Sequence, residues 1–555
     1  MNARSFFQLS IFLSMFAISG WTEENLDRGM IALERPDGVY IGWRSLISDP
    51  PDMKFDLTRE NEEANTPKRL TLTDNSTNYI DAKTEKGKKY LYKLLTTKEK
   101  VLAQCEITVT GEAKNYISIP LQGDYDFQKF TVADLDGDGE LEYLVKQPNF
   151  NTDPYQQPGY WKRSEDTYKI EAYKRDGTLI WRYDMGWAIE EGIWYSPWIV
   201  YDVDGDGKAE VYCKAGEGDP REPTGQVMSG PEYLVKIDGQ TGKVVAKTDW
   251  LPRDGYQDYN RYCRNFLAVA YLDGKTPSLI MQRGTYRLIR TKALDKDFKE
   301  LWLWQADADN KDYQGQGSHG LIAADVDGDG RDELVIGAAV IDDNGKNLWT
   351  LKMGHPDFTY VADIDPSNPG LEIFYGFETR QPKDGLCVVD AKTGRKLWAH
   401  PDPTFHIHGQ GMAADVLAQY PGMEVYGGER DYDKRWFYNA KGELIKLYEK
   451  TTLTPRALWW DADPQKEVVW DGAIRDWDGD AQQKVEGTVI AAVDCLGDAR
   501  EELVTSLKGE IRIYSTTIPT KERRTCLLQD RQYRLGIAAQ TMGYYYPAQL
   551  GEFRK

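Results

Sequence analysis

A nine-residue acidic motif, DxDGDGxxE, recurs along the chain and restricts the folds that the chain can adopt. Three full copies begin at Asp134, Asp202 and Asp325. Five weaker copies begin at Asp273, Asp363, Asp415, Asp461 and Asp494. The starts lie 33 to 71 residues apart, a range that includes the roughly 40–50 residues of a four-stranded propeller blade. The spacing therefore predicts an all-β chain with about eight blades, whereas a solenoid would repeat more regularly.

A second repeated element supports the same fold. It is a polar glycine turn followed by an apolar strand that ends in Trp, with copies at 176–181, 344–349 and 392–398 and close variants at 241–242 and 441–442. Glycine supplies the positive φ that tight hairpin turns need. We predict that these turns join the two outer strands of a blade.

The acidic motif also predicts bound metal ions. Its carboxylates at positions 1, 3, 5 and 9 are hard oxygen ligands, and its glycines allow sharp turns, which together favour Ca²⁺. No helical periodicity flanks the loops, unlike an EF-hand. We predict several Ca²⁺ ions with a structural role, which pin the loops between strands. The predicted ligands are Asp134, Asp136, Asp138, Glu142, Asp202, Asp204, Asp206, Glu210, Asp325, Asp327, Asp329 and Glu333.

The first 20 residues have the pattern of a secretory signal peptide. Arg4 is followed by an apolar run and by a small-residue cleavage site. The protein is therefore expected to be secreted, to the extracellular space, the cell surface or the periplasm, with an uncleaved N-terminal anchor as the alternative. No later segment reaches the roughly 20 apolar residues of a membrane-spanning helix.

The mature chain divides into two parts. Residues 21–119 alternate short apolar stretches with turn signals and predict a small fibronectin-like β-sandwich. Residues 120–555 contain the repeats and predict a calcium-binding, eight-bladed β-propeller that carries the catalytic site. The six cysteines are scattered, so no disulfide pairing follows from their spacing.

The charge balance limits the partners. A net charge of −20 at pH 7 excludes nucleic acid, which needs clustered positive charge. An acidic polysaccharide is compatible if bound metal ions neutralise part of the acidic surface. Aromatic residues make up 12% of the chain, which suits stacking on sugar rings. We expect a monomer.

Two of the five histidines stand at matching positions of adjacent repeats. His319 precedes the third full acidic motif, and His355 lies one repeat later. Asp357 follows, and Glu378 closes the next predicted strand. We call these four residues the histidine cluster, and we predict that it holds one ion at the propeller face. The alternative is that each His is a structural hydrogen-bond donor beside a glycine turn.

Over nearly its whole mature length the chain resembles the eight-bladed rhamnogalacturonan lyases of polysaccharide lyase family 11. Matching stretches include GVYIGWRSL, YDVDGDGKAE, GHPDFTYVADIDPSNPGLE, LGDAREELV and DRQYRLGIA. The resemblance implies a metal-binding cleft whose ligands fall on the histidine cluster. It also implies β-elimination, in which a base removes the weakly acidic C5 proton of a uronate whose carboxylate is stabilised by positive charge.

The resemblance also assigns residues to the cleft. Arg283, Tyr286 and Arg287, in MQRGTYR, match a cleft-lining stretch of the family, and Tyr544 matches a C-terminal cleft tyrosine. We expect Arg283, Tyr286 and Tyr544 to take part in catalysis and Arg287 to bind substrate. The alternative is that they are ordinary aromatic and basic residues at strand ends.

The chain departs from the family at three cleft positions. The lysine of the family motif NGTK is Val489, the arginine of GRGM is Gln410, and the loop KWDP reads KQP at 146–148. His406 and His408 stand beside the lost arginine. His408 is predicted as the general base, because His titrates near neutrality. Lys146 and Gln410 are predicted to contact the substrate.

Two classes of function fit these observations. The first is a secreted polysaccharide lyase that cleaves a rhamnose–uronate polymer, either rhamnogalacturonan or ulvan, and leaves unsaturated uronate ends. The second is a non-catalytic, calcium-dependent carbohydrate-binding or adhesion propeller, because acidic loops of this kind also occur as scaffold alone. A quinoprotein-type propeller is suggested only by the glycine–tryptophan turns. We prefer the lyase, with endo or exo action left open.

Overall fold

The fold is described from a computed structural model over residues 24–61, 67–70 and 76–543. The predicted signal peptide (1–20) and Tyr544 lie outside these residues. Within them, nearly all regular structure is β-strand, as the all-β prediction requires. The helices in this part of the chain are too short and too polar for any of them to cross a bilayer. All six cysteines lie in the described residues and carry free thiols.

The described residues of the N-terminal part form seven strands. They are β1 (Ile31–Arg35), β2 (Gly38–Gly42), β3 (Phe55–Asn61), β4 (Lys68–Leu70), β5 (Asn78–Asp81), β6 (Lys89–Thr96) and β7 (Val101–Thr108). One antiparallel sheet has the order β1-β2-β5, and the other has the order β4-β3-β6-β7. Apolar residues of both sheets, such as Ile41 and Tyr92, share one core with Trp43. Two sheets that share a core are expected for a small β-sandwich.

The next 32 strands form eight four-stranded antiparallel sheets among the described residues. The first of these strands is β8 (Tyr116–Pro120). Sheet 1 consists of β9 (Lys129–Ala133), β10 (Glu142–Gln147), β11 (Lys169–Tyr173) and β12 (Leu179–Asp184), and sheet 2 of β13 (Trp198–Tyr201), β14 (Glu210–Gly216), β15 (Glu232–Ile237) and β16 (Val244–Asp249). Sheet 3 consists of β17 (Asn265–Ala270), β18 (Ser278–Arg283), β19 (Arg290–Leu294) and β20 (Glu300–Gln305), and sheet 4 of β21 (Gly317–Ala324), β22 (Glu333–Gly337), β23 (Ala339–Ile341) and β24 (Asn347–Thr350). Sheet 5 consists of β25 (Pro356–Ala362), β26 (Glu372–Phe377), β27 (Leu386–Asp390) and β28 (Lys396–Ala399), and sheet 6 of β29 (Ile407–Ala414), β30 (Glu424–Glu429), β31 (Arg435–Tyr438) and β32 (Leu444–Tyr448). Sheet 7 consists of β33 (Arg456–Leu458), β34 (Glu467–Trp470), β35 (Ala473–Arg475) and β36 (Ala481–Lys484), and sheet 8 of β37 (Thr488–Val493), β38 (Glu502–Leu507), β39 (Glu510–Tyr514) and β8.

Sheet 8 is assembled from distant parts of the chain. Strand β8 pairs with β39 along the outer edge, for example Ser118 with Arg512. The first strands of sheets 1 to 7 contact one another in chain order, and the first strand of sheet 8 contacts that of sheet 1. Helical segments are α1 (Tyr259–Tyr262), α2 (Arg531–Ala539) and two 3₁₀ turns (Lys311–Tyr313 and Leu527–Gln529). Helix α2 packs on the first strands of sheets 2, 3 and 4 and covers the side of these strands that it contacts.

A glutamate at the start of the second strand holds the preceding loop in seven of these eight sheets. Its carboxylate accepts a hydrogen bond from a backbone N–H of the loop. The seven are Glu142, Glu210, Glu333, Glu372, Glu424, Glu467 and Glu502. The last acid of the motif therefore stabilises the loop directly, in addition to any role as a metal ligand.

Nine of the twelve predicted calcium ligands come together in groups of three, one group in each full acidic loop. The groups are Asp134, Asp136 and Glu142; Asp202, Asp204 and Asp206; and Asp325, Asp327 and Glu333. Of the other three, Glu210 forms an ion pair with Lys236 at 2.7 Å, while Asp138 and Asp329 each accept a backbone N–H two residues on. Burial raises the pKa of Glu142 to about 7 and that of Glu333 to about 8. A bound cation would offset this cost of charge, although Ca²⁺ itself stays a prediction.

The tryptophan of the second repeated element connects neighbouring sheets. Trp349 of sheet 4 packs on Gly394 in the outer turn of sheet 5, and its indole N–H donates to the Ala391 carbonyl at 2.9 Å. The same packing joins Trp181 to Gly242, Trp302 to Gly345 and Trp398 to Gly442. The sequence predicts the turns but not this contact, in which the absence of a Cβ lets the indole approach.

We predict that Gly394→Ala lowers the free energy of unfolding by about 1–3 kcal/mol more than Gly472→Ala. Both glycines have a φ of +68°, so the backbone cost of a side chain is the same. A Cβ at Gly394 would lie 2.7 Å from the Trp349 ring, whereas a Cβ at Gly472 meets nothing within 4 Å. Urea unfolding of the two variants measures the difference, and equal losses would contradict the packing.

Candidate functional site

The histidine cluster lies where the first strands of sheets 4 and 5 begin. His319 is in β21, and His355 directly precedes β25, which contains Asp357. Glu378 follows β26, the neighbour of β25. Because β21 and β25 contact each other, these four residues meet at one edge of the two sheets.

The four side chains converge. The Nε2 atoms of His319 and His355 are 3.2 Å apart. Glu378 Oε2 lies 2.9 Å from His355 Nε2, and Asp357 Oδ1 lies 3.4 Å from His319 Nε2. Both imidazoles and Asp357 are buried, whereas the Glu378 side chain is 30% exposed, so a ligand can reach the site past Glu378. Two imidazole nitrogens and two carboxylates in this arrangement fit a divalent cation.

Neighbouring groups fix the two imidazole rings. His355 Nδ1 hydrogen-bonds to the Gly317 carbonyl, so its proton lies on Nδ1 and its Nε2 lone pair points into the cluster. The Trp194 ring packs 4.9 Å from the His319 ring, and the Tyr286 ring packs 4.8 Å from the His355 ring. Rings held in this way are preorganised to bind metal.

Burial and charge set the protonation of the cluster. Burial lowers the pKa of His319 well below its usual value, and the neighbouring His355 lowers it further. His319 is therefore neutral, the form that binds metal. Burial alone would raise the pKa of Glu378, but the His355 and His406 rings hold it well below its usual range. Glu378 is therefore a carboxylate.

Two more histidines, at the start of sheet 6, approach the same two carboxylates. His408 Nδ1 lies 3.3 Å from Asp357 Oδ2, and His406 Nε2 lies 3.4 Å from Glu378 Oε1. The two imidazole rings are 5.1 Å apart. Burial lowers the pKa of His408 to about 4, and His406 adds to the shift. The structure thus places His408 against a carboxylate of the cluster, and its predicted role as general base stays a prediction.

Of Tyr286 and Arg287, both predicted to line the cleft, Tyr286 lies beside the cluster, with its ring 4.8 Å from that of His355. Burial raises the pKa of Tyr286, so its hydroxyl is protonated and can only donate or accept as a neutral group. Arg287 is exposed and lines a cleft of about 390 Å³ with Arg261, Arg290 and one acid, Asp307. Arg261 pairs with Asp258 and Arg290 with Asp254 at 3.7 Å, so the cleft presents guanidinium groups that are partly balanced by carboxylates.

Two predicted cleft residues are buried elsewhere. Arg283 is fully buried, and its guanidinium forms an ion pair with Glu232 at 2.6 Å. Lys146 is also fully buried, and its amine donates to the Ser196 hydroxyl at 2.8 Å. Neither side chain reaches the cleft. Burial speaks against direct contact with a substrate, and the catalytic role of Arg283 and the substrate contact of Lys146 stay predictions.

The two remaining predictions are less constrained. Gln410 is half-buried in sheet 6, two residues after His408, and its backbone carbonyl accepts the Tyr360 hydroxyl at 2.6 Å. Tyr544 lies outside the described residues. Gly543, which precedes it, approaches the His319 backbone so closely that a Cβ would lie 2.2 Å from the His319 oxygen.

An aromatic rim lies next to the cluster. It consists of four exposed rings, those of Tyr155, Tyr160, Phe405 and Tyr432. Phe405, which precedes His406, stacks on Tyr432 with ring centres 5.0 Å apart. Arg430 ties the loops together, because its guanidinium donates to the Tyr160 hydroxyl at 2.6 Å and its backbone N–H donates to the His406 carbonyl. The rim was not predicted from the sequence, because aromatic residues in loops that are distant in the chain form no periodic pattern.

Lys129, the first residue of β9, is a further polar group that the sequence did not single out. Burial lowers the pKa of its amine to about 7, and Arg456 adds to the shift. Strand β9 contacts β37, where Val489 stands in place of the lysine that the resemblance implies. The Arg456 guanidinium donates to the Val489 carbonyl, so these three residues are close together.

Comparison with known proteins gives matches over nearly the whole chain. Residues 120–553 match the domain family described as Rhamnogalacturonan lyase family 11, C-terminal domain, and residues 22–109 match the family described as Rhamnogalacturonan I lyases beta-sheet domain. The chain is 35% identical to Rhamnogalacturonan endolyase YesW of Bacillus subtilis, over 94% of this chain and 90% of that protein. It is 34% identical to Rhamnogalacturonan exolyase YesX of the same organism, over 94% of each.

Solved structures agree with this result. A rhamnogalacturonan lyase PL11 of Bacillus licheniformis has a TM-score of 0.84 and 34% identity, over 96% of this chain and 97% of that one. The crystal structure of the exotype lyase YesX has a TM-score of 0.85 and 32% identity, over 96% of this chain and 98% of that one. Endo- and exo-acting relatives are thus both similar to the chain, at nearly equal identity.

Proposed function

The chain belongs to rhamnogalacturonan lyase family 11 and is a polysaccharide lyase, and from this premise we propose that it cleaves rhamnogalacturonan by metal-assisted β-elimination. The observation that carries the proposal is the histidine cluster, in which two imidazoles and two carboxylates converge beside exposed aromatic rings. β-Elimination at a uronate needs positive charge at the carboxylate, a base at C5 and a surface that binds the polymer.

The cation would be held by the Nε2 atoms of His319 and His355 and by one oxygen each of Asp357 and Glu378. When bound, it supplies positive charge that stabilises the negative charge developing on the uronate carboxylate. Glu378 is the most exposed of the four, so the substrate carboxylate is expected to enter on its side. The buried rings of Trp194 and Tyr286 would keep the ligands in place.

We assign the role of general base to Lys129. In each sheet with a full acidic motif the loop follows the end of the first strand, so the start of that strand lies at the opposite edge. Lys129 begins the first strand of sheet 1 as the cluster begins those of sheets 4 and 5, so the proposal requires a bound polymer that reaches both sets of strand starts. A neutral amine takes the C5 proton, the C–H electron pair forms the C4–C5 double bond, and the C4–O bond breaks. The departing sugar oxygen takes a proton from water.

We predict that Lys129→Met lowers kcat by about 10²-fold. Lys129→Arg is expected to lose as much, because a guanidinium does not deprotonate. The wild-type rate is expected to rise with pH up to about 7, since only the neutral amine accepts a proton. Arg456 is the cation that faces it, and burial lowers the pKa of the cross-strand neighbour Lys146 well below its usual value. The assay follows the unsaturated uronate by its absorbance near ~235 nm. Lys508→Met, at an exposed turn, is the control, and an unchanged Lys129→Met rate would show that another group is the base.

The aromatic rim is proposed to bind sugar rings beside the bond that is cleaved. We predict that Tyr432→Ala raises KM by about 2- to 10-fold with little change in kcat, because a stacked ring contributes to binding of substrate and transition state alike. Tyr420→Ala is the matched control, since Tyr420 lies in the acidic loop at the far edge of the same sheet. A fall in kcat at constant KM would place Tyr432 in the reaction itself.

Substrate choice is tested by incubating the protein with rhamnogalacturonan and with ulvan, both in the presence of Ca²⁺. A rise in absorbance near ~235 nm on rhamnogalacturonan alone is the expected result. A rise on ulvan alone would transfer the same chemistry to the sulfated polymer, because Val489 and Gln410 replace two cationic contacts. Binding of either polymer without any rise would favour the non-catalytic adhesion propeller.

We also propose that the eight sheets are the blades of one propeller, that Ca²⁺ occupies the acidic loops, and that the protein is secreted. The row of contacting first strands and the pairing of β8 with β39 support the first. The three groups of convergent carboxylates support the second. The signal-like pattern of residues 1–20 supports the third.

A further inference from the structure

We propose that the site holds two divalent transition-metal cations, with Asp357 and Glu378 as bridging ligands and His406 and His408 as ligands of the second cation. The proposal deepens the proposed function and rests on it, because it concerns the same site. It adds a second metal position beside the one formed by the histidine cluster.

The two carboxylates divide their oxygen atoms between the two pairs of histidines. Asp357 presents Oδ1 to His319 at 3.4 Å and Oδ2 to His408 at 3.3 Å. Glu378 presents Oε2 to His355 at 2.9 Å and Oε1 to His406 at 3.4 Å. Each carboxylate thus has one oxygen beside each pair of imidazoles. Carboxylates that use both oxygens in this way are suited to bridge two cations, which lie about 3.5–4 Å apart in two-metal sites.

The second pair of histidines approaches the carboxylates without well-formed hydrogen bonds. The ring nitrogens that face the carboxylates, His406 Nε2 and His408 Nδ1, are shielded from solvent and have no hydrogen-bond partner in the described part of the chain. Buried polar atoms without a partner are costly, so such atoms in a native site call for a ligand. The distances of 3.3–3.4 Å to the carboxylate oxygens leave room for small shifts towards a shared cation.

The donor set selects the class of metal. Each position would have two imidazole nitrogens and two carboxylate oxygens, and imidazole favours Zn²⁺ and similar first-row cations, whereas Ca²⁺ prefers oxygen ligands alone. The acidic loops, which offer only oxygen atoms, would therefore take Ca²⁺, and the site would take the transition metal. One chain would thus sort two kinds of cation by ligand chemistry.

The second cation would also change the net charge of the site. Two divalent cations carry +4 against −2 from Asp357 and Glu378, so the site keeps a net charge of about +2. This excess would attract an acidic polymer to a protein whose net charge is −20. It would also replace the cationic side chains that are absent at Val489 and Gln410.

The experiment counts tightly bound metal. The protein is stripped with chelator, returned to excess Ca²⁺ to fill the oxygen-only loops, titrated with Co²⁺ while its visible absorption is followed, and analysed for metal content by mass spectrometry. The wild type is expected to bind two equivalents, and His406→Asn combined with His408→Asn is expected to bind one. His400→Asn is the matched control, because His400 is buried but bonds to Tyr438 away from the site, and it is expected to bind two.

One equivalent in the wild type, or two in the double variant, would overturn the proposal. Circular dichroism checks that each variant is folded, and single variants at His406 and His408 replace the double variant if it is not. The titration needs no substrate, so its outcome is separate from that of the proposed function. Two equivalents without elimination would contradict the lyase chemistry and support the metal pair. Elimination with one equivalent would support the lyase chemistry and contradict the metal pair.

Discussion

Replacing His355 with alanine is expected to lower the elimination rate by about 10³-fold. His355 contributes one of the two Nε2 atoms of the histidine cluster, and its loss removes a ligand 2.9 Å from Glu378 and 3.2 Å from His319. A bound cation contributes several kcal/mol to stabilising the transition state, and each ~1.4 kcal/mol changes the rate tenfold. The rate is measured near ~235 nm on rhamnogalacturonan, together with the metal content of the variant.

His400→Asn is the control for this experiment. His400 is also buried, but its Nδ1 lies 2.6 Å from the Tyr438 hydroxyl, outside the cluster. We expect its rate and metal content to match the wild type. If alanine at 355 disturbs folding, His355→Gln keeps the bulk of the side chain without the imidazole. A folded His355 variant with the wild-type rate would show that the cluster does not serve the reaction.

Replacing Glu232 with glutamine is expected to lower the free energy of unfolding by about 3–5 kcal/mol. Glu232 is mostly buried and pairs with Lys214 at 2.7 Å, Arg283 at 2.6 Å and Arg253 at 3.0 Å. The neutral amide would leave three closely spaced cations, two of them buried, without a counter-charge. Urea unfolding at pH 7 measures the loss.

Glu217→Gln is the matched control for Glu232. Glu217 pairs with Lys247 on the surface of the same sheet, and both side chains are more than half exposed. Such exposed pairs contribute little to stability, so the variant is expected to stay near the wild type. A loss at Glu232 no larger than that at Glu217 would contradict the importance of the buried network.

The same carboxylate makes stability depend on pH. Burial would raise the pKa of Glu232, but Lys214, Arg283 and Arg253 lower it to about 2. A group whose folded pKa lies below its unfolded value of about 4.3 stabilises the fold above that pH. Its contribution is lost as the pH falls from about 4.3 to 2. The Gln variant is expected to lack this part of the acid dependence.

Structural features that a few neighbouring residues determine could be predicted from the sequence. The acidic motif and the glycine turn each determine a loop of a few residues, so their repetition predicted four-stranded units in the right places. The histidine cluster followed from equal positions in adjacent repeats, because equal positions in neighbouring sheets come together. The contact between His355 and His319 therefore needed no knowledge of the rest of the chain.

Structural features that depend on residues far away in the chain could not be predicted from the sequence. Arg283 and Lys146 match cleft positions in sequence, but they are buried because Glu232 and Ser196, about 50 residues away, take up their charges and hydrogen bonds. Arg430 meets Tyr160 across 270 residues. Burial lowers the pKa of Lys129, and Arg456 of sheet 7, six sheets later in chain order, adds to the shift. No spacing rule in one sequence shows such pairs.

The pairing of β8 with β39 has a consequence for synthesis. Strand β8 emerges from the ribosome several hundred residues before its partner, so its edge stays unpaired while seven sheets are being made. An unpaired strand edge is a template for wrong pairing with other chains. A chain that stops before β39 would keep that edge open, whereas a complete chain covers it with its own last strand. Synthesis of β39 is therefore the step that removes this unpaired edge.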